Sequence, residues 1–204
     1  MNMVIPEWFQ IGASAVALIS GIVYAILKLL KKRKHEMYMS FWSTHSQIHE
    51  TLTELRVLND CARVHLVQFH NGEYFLDGVS MKKLSLTHES LNKGTSGEGD
   101  KIQGLLISRF VPLMNKLIQE DSSLFLVEDM EESYFKQFMV SGSILAFIVL
   151  PIKYRGMITG YVMCQWCSLE KLDKLDEKSS ISTLEYAKNT IEVLLSQQLR
   201  IKES

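Results

Sequence analysis

The chain has 204 residues, of which 47% are hydrophobic and 22% charged, which allows one domain of ordinary size plus an appendage and argues against extended disorder. Its formal net charge of -1 hides an asymmetry: Lys28, Lys31, Lys32, Arg33 and Lys34 form one basic run, and residues 35–204 then hold 17 basic against 22 acidic groups. A body near -5 disfavours a nucleic-acid partner, and three cysteines (Cys61, Cys164, Cys167) without a small-scaffold spacing suit reduced thiols in a cytoplasmic compartment.

Residues 8–27 carry no charge and are long enough to span a bilayer as a helix. No basic segment precedes them and no clear cleavage site follows, which separates the run from a secretory signal peptide. The basic cluster lies on the C-terminal side and only Glu7 on the other, so the positive-inside rule predicts an outside N-terminus and a cytoplasmic body. The expected localisation is the cytoplasmic membrane, with a single-pass helix and basic flank over 8–30 and the lipid bilayer as a partner. Ala13, Ala17, Gly21 and Ala25 recur every four residues, a stripe on which two spans can pack as a homodimer.

A connecting helix is expected over 36–60. Phe41, His45, Ile48, Leu52, Leu55 and Asn59 follow spacings of four and three, a narrow seam that suits packing on the chain's own domain better than a stable coiled coil.

The body, 61–204, alternates strands and helices. Val64, Leu66, Val67 and Phe69 are strand formers, and Asn71-Gly72 adopts positive φ cheaply, so the first strand is expected to end near His70. A second strand is expected over 79–87 and an exposed loop over 88–100. A helix is expected over 102–119 with Pro112 as a kink, then a short strand over 124–127 and a short helix over 131–139. The clearest hairpin joins 144–154 to 157–166 through Arg155-Gly156, and such a pair sits centrally in an antiparallel sheet. A long helix over 177–201 closes the chain, with Ile181, Leu184, Ile191, Leu194 and Leu195 on one face.

The fold class is therefore α+β, an antiparallel sheet flanked by helices and preceded by one transmembrane helix. The element order and the hairpin Leu-Pro-Ile-Lys-Tyr-Arg-Gly-Met-Ile-Thr-Gly-Tyr-Val at 150–162 resemble the GAF domain, which is related to PAS-type sensor folds. The Phe-His-Asn-Gly and Thr-His-Glu-Ser stretches look like those of uncharacterised GAF-like proteins of bacteria and their phages. No tetrapyrrole-attachment cysteine and no Asn-Lys-Phe-Asp-Glu cyclic-nucleotide motif is recognisable. The resemblance implies a sensory or ligand-binding role and names no cofactor.

For a small-molecule ligand, Phe69 supplies an apolar wall and His70, Asn71, Ser85, His88 and Glu89 supply hydrogen bonds. His70, His88 and Glu89 are also residue types of metal and acid-base sites, although structural hydrogen bonding is the expected use, with no metal and no catalytic residue assigned. Ser141-Gly142-Ser143 is placed to close such a pocket. Cys164-Gln-Trp-Cys167 matches C-x-x-C, but on a strand that spacing points the thiols to opposite faces. Three readings follow: a membrane-anchored ligand-sensing module with a closed, partly polar pocket behind the 88–100 loop; an interaction scaffold with a filled core, dimerising through its terminal helices; and a thiol-dependent reductase of the methionine-sulfoxide type. The first is preferred, as a protein without a catalytic centre of its own.

Overall fold

The computed structural model describes residues 7–74, 80–120 and 122–203, with side chains described over 20–70, 82–120 and 122–198. Helix α1 runs Glu7–Leu58 without the break expected between span and connecting helix. The chain divides into two compact units, Met1–Ser43 and Thr44–Ser204. In the first, Ile22, Val23, Ile26, Leu27, Leu29 and Leu30 are all exposed. The side chains of Ala13 and Ala17, and of the apolar run as far as Ile19, lie outside the described residues.

In the second unit the last turns of α1 bury Ile48, Leu52 and Leu55 in the domain's own core, as the narrow seam predicts. The helix stops at Asn59. Its backbone N–H and its Nδ2 both donate to the Leu55 carbonyl, at 3.1 and 2.8 Å, and Asp60 follows in the left-handed region at φ 44°.

Among the described residues six strands form one antiparallel sheet: β1 (Arg63–Tyr74), β2 (Ser80–Leu91), β3 (Leu105–Leu106), β4 (Phe125–Leu126), β5 (Ala146–Tyr154) and β6 (Met157–Trp166), in the spatial order β3-β2-β1-β6-β5-β4. The expected hairpin is β5–β6, and its two turn residues, Arg155 at φ 49° and Gly156 at φ 78°, both take the positive φ that matches strand twist. β6 and β1 are the central pair, close enough at Gly160 that a Cβ there would lie 2.2 Å from the Val67 carbonyl oxygen. Only glycine fits.

Several boundaries differ from expectation. β1 does not end at His70: Asn71 pairs with Lys82 and Tyr74 with Ser80, because the ladder continues through Asn71-Gly72 with an irregularity instead of turning there. β2 likewise extends through Leu91 and absorbs the first residues of the expected loop. The expected helix over 102–119 is divided into β3, a 3-10 turn at Ile107–Phe110, and α2 (Val111–Gln119). Pro112 sits in the first turn of α2, where its missing N–H costs nothing, so it opens a helix and does not kink one. Helix α3 (Tyr134–Ser141) starts later than expected because the Ser133 hydroxyl caps it, accepting from the Lys136 N–H. A short α4 (Leu169–Asp173) precedes the long α5 (Glu177–Glu203).

Alternation along the strands gives the sheet two buried faces. On the outer face, Val64, Leu66, Ile148, Leu150, Ile152, Val162 and Cys164 pack against α1 and the α5 residues Leu184, Ala187, Ile191 and Leu194. On the inner face, Val67, Leu84, Leu86, Phe147, Val149, Tyr161 and Met163 pack against Phe110, α2, α3 and Ile102. The architecture is α+β, an antiparallel sheet between helical layers.

Candidate functional site

Period two along β1 places Arg63 and His65 on the inner face, in line with Val67 and Phe69. Cross-strand partners complete a polar cluster at that end: Arg63 stands opposite Gln165 on β6, and His65 opposite Glu89 on β2. Arg63, His65, Gln165 and Glu98 are all at least 97% buried. Burying a guanidinium without a partner is costly, and here it has several. Its Nε donates to the Ser96 carbonyl at 2.9 Å, and its Nη1 to the Gly142 carbonyl at 3.1 Å and to Gln165 Oε1 at 3.5 Å. The Gln165 amide nitrogen in turn donates to His65 Nδ1 at 3.3 Å, which leaves His65 Nε2–H to donate to Glu89 Oε1 at 2.9 Å. The same carboxylate oxygen accepts the Glu98 backbone N–H at 2.9 Å. Burial raises the Glu89 pKa, but these two hydrogen bonds, with the charges of His65 and Arg63, outweigh it and hold the carboxyl below its usual value.

Glu98 is the exception in this satisfied network. Its carboxylate lies against Gly142, where a Cβ would come within 2.5 Å of Oε1, and Oε2 is buried with no hydrogen-bond partner among the described residues. Tyr161, also buried, has its pKa raised by desolvation first and by the Glu98 charge second. The loop over 92–104 and the residue ending α3 thus seal the polar end of the inner face, while Phe110, Phe135 and Phe147 fill the apolar end.

Of the residues singled out from sequence, Phe69 and Glu89 reach the inner face, Phe69 packing edge-on against Tyr161 at 6.2 Å. His70 and Ser85 bond each other on the opposite face, Nε2 to Oγ at 2.9 Å, and Ser85 also accepts the Gly104 N–H. His88 turns toward α1, where it meets His45. The side chain of Asn71 lies outside the described residues. These six therefore do not converge on one pocket. Alternation separates Phe69 from His70 and His88 from Glu89, and a bulge in β2 at Thr87, between the pairs Leu66–His88 and Val67–Leu86, decides that Glu89 faces inward and His88 outward. Sequence reasoning missed Arg63, His65, Glu98 and Gln165. The available signal was polar residues at alternate positions in an apolar strand. Gly142, expected to close a pocket, does line the cluster.

Two clefts, of about 430 and 370 Å³, are lined in part by β4; the first is lined by Pro112, Lys116, Phe125 and Met130, and the second, by Lys136, Val140, Ile144 and Cys167, reaches the cluster where Arg63 Nη1 donates to Cys167 Sγ at 3.5 Å. Cys164 is buried on the outer face beside Cys61, and burial first, then the bond to Cys61, raises its pKa. Cys167 packs against the inner core, its pKa raised by burial despite Arg63 beside it. The two thiols of the C-x-x-C stretch thus lie on opposite faces, as strand geometry requires. Among the described residues, no group of three or more His, Cys, Asp or Glu side chains is placed to hold a metal ion.

No family model and no curated protein matches this sequence. Solved structures do match in shape. The phycoerythrobilin-bound GAF domain of a cyanobacterial phytochrome aligns with 86% of this chain and 96% of its own, at 13% identity and a TM-score of 0.57. The red/green cyanobacteriochrome NpR6012g4 in its red-absorbing state aligns with 78% of this chain and 97% of its own, at 15% identity and a TM-score of 0.56. The PixJ GAF domain of Thermosynechococcus elongatus aligns with 80% of this chain and 94% of its own, at 11% identity and a TM-score of 0.51. The fold is that of GAF domains. At such identities the likeness speaks for the GAF fold alone, and the chemistry has to be argued from the site.

Proposed function

We propose that this protein is a membrane-anchored sensory module of GAF fold, facing the cytoplasm, that holds a small hydrogen-bond-donating molecule against Glu98 beneath the 92–104 loop and has no catalytic centre of its own. The observation that carries this reading is the buried Glu98 Oε2 with no donor, in a cluster whose other members are paired. An unsatisfied buried acceptor costs about 1–3 kcal/mol, more for a charged group, and a ligand amide, ammonium or hydroxyl would remove that cost. The GAF neighbour that carries phycoerythrobilin supports a small-molecule role in this fold. Anchoring rests on the uncharged run over 8–27, on the exposed apolar side chains Ile22 to Leu30, and on the basic residues that follow. No helix among the described residues is long and apolar enough to cross a membrane, and the first half of that run has its side chains outside them.

Native mass spectrometry of the full chain released from detergent tests the reading. The wild type should carry a small-molecule mass that Glu98→Leu loses; wild-type protein with no added mass, or a mass that Glu98→Leu keeps, would overturn it. For topology, Lys93→Cys in a cysteine-free background offers an exposed thiol. An impermeant reagent that labels it in intact cells contradicts the orientation.

A second reading, a scaffold that acts as a homodimer, is favoured by the aromatic filling of the inner face and by exposed Val57, Leu58, Tyr186 and Val193 near the ends of α1 and along α5. Ile48, Leu52 and Leu55 are occupied by the domain's own core, so a dimer would use this other surface. The thiol-reductase reading gains no support from two thiols on opposite faces, Cys164 buried and Cys167 half-buried, both with raised pKa values.

A further inference from the structure

His88 and Ser90 are residues of β2 that meet α1, Ser90 by bonds of 3.1 Å to Thr53 Oγ1 and from Arg56 Nε, and His88 through His45. His88 Nε2 lies 2.7 Å from His45 Nδ1, and the ring centroids are 4.8 Å apart with planes only 14° from parallel. That centroid distance is nearly the 2.7 Å contact plus both ring radii, so the imidazoles meet edge to edge in almost one plane, the geometry of an N–H···N bond.

One arrangement of protons satisfies the bonds around the pair. The Gln198 amide nitrogen on α5 can only donate, so His45 Nε2, 3.4 Å away, accepts. His45 Nδ1–H then donates to His88 Nε2, and His88 Nδ1–H donates to Thr87 Oγ1 at 3.1 Å. The Thr87 hydroxyl donates onward to the Leu66 carbonyl at 3.2 Å. One directional chain therefore runs from α5 through α1 and the β2 bulge at Thr87 to the backbone of β1. In this arrangement each imidazole is neutral. A proton added to His45 Nε2 sets two donors face to face with Gln198, and one added to His88 Nε2 does the same with His45.

We propose that the His45–His88 pair is a proton-gated clasp, holding the end of α1 and the end of α5 to the sheet when both rings are neutral and releasing them on acidification. Burial first, then the charges of His45 and His49, pushes the His88 pKa down to about 4, and burial lowers that of His45. His49, one turn along α1, is the further titratable group acting on His88; α5 and β2 present the uncharged Gln198 and Thr87, and Glu89 faces the inner cluster. A lowered histidine pKa means the contribution is fully present above the unfolded value of 6.5 and is lost as pH falls from there toward about 4. Release would also reach the inner cluster, since Thr87 and His88 adjoin Glu89, which holds the 92–104 loop through the Glu98 N–H.

The test uses the full chain in detergent micelles. Hydrogen exchange at pH 7 and pH 5, corrected for intrinsic rates, should show residues 44–58 and the segment around Gln198 opening about tenfold more at the lower pH, with β5 and β6 unchanged. His88→Gln, which keeps hydrogen-bonding capacity without a titrating ring, should abolish that difference. An equal response across all elements, or a pH response retained in His88→Gln, overturns the proposal. Ring titration of the wild type by NMR decides independently of any variant: His88 should protonate far below its ordinary range, and titration near 6.5 refutes the clasp.

Discussion

The two faces of the sheet are buried by the same means and left with different contents. The outer face is closed by α1 and α5 with mostly aliphatic side chains and Trp166, and its polar groups, among them the histidine pair, Ser90 with Thr53 and Arg56, and the Asn59–Thr183 bond at 3.0 Å, are paired with one another. The inner face mixes a packed aromatic end with a buried charged end, where Arg63, His65, Glu89, Glu98 and Gln165 satisfy one another except at one oxygen. Apolar surface is stabilised by any well-shaped neighbour, whereas each buried polar atom needs a specific partner. An orphaned acceptor can therefore mark a site on the inner face in a way that nothing on the apolar outer face can.

The largest expected effects test whether both faces are packed alike. Phe147→Ala on the inner face should lower stability in urea by about 3–5 kcal/mol and Leu52→Ala on the outer by about 2–5, since both side chains are fully buried. A loss well under 1 kcal/mol at Phe147 would mean that the inner face is loose rather than filled.

Smaller, and opposite in sign, are the effects expected at the two glutamates of the inner cluster. Glu89→Ala leaves the His65 Nε2–H and the Glu98 N–H without an acceptor and should cost about 1–3 kcal/mol. Glu98→Leu removes the orphaned carboxylate and should leave the ligand-free protein as stable as the wild type or more so, by about 1 kcal/mol. Thermal melts of ligand-free protein compare them. Losses of equal size would show that Glu98 is paired in solution.

The smallest effect separates the faces by acidity. The outer clasp weakens as pH falls from 6.5 toward about 4, whereas Glu89, with its pKa held below the ordinary 4.5, keeps its contribution above that value and loses it only as pH falls below. Melting temperature against pH should therefore show two declines, with His88→Gln removing the first and Glu89→Ala the second. A single decline centred below 4.5 would remove the distinction.

Local chemistry made much of this fold legible. The β5–β6 hairpin follows from Arg155-Gly156, the sides of α5 from its 3.6-residue period, and the burial of Ile48, Leu52 and Leu55 from a seam too narrow for a coiled coil. The opposite orientation of Cys164 and Cys167 follows from strand alternation alone. What the amino-acid order could not supply was register between distant strands. Arg63 meets Gln165 across 102 positions because β1 lies beside β6, and Glu89 rather than His88 faces the inner cluster because a bulge in β2 at Thr87 shifts the phase by one residue. A one-residue shift leaves local propensity almost unchanged and reverses which side chains face the interior, so the inner cluster and the histidine clasp were decided by tertiary pairing.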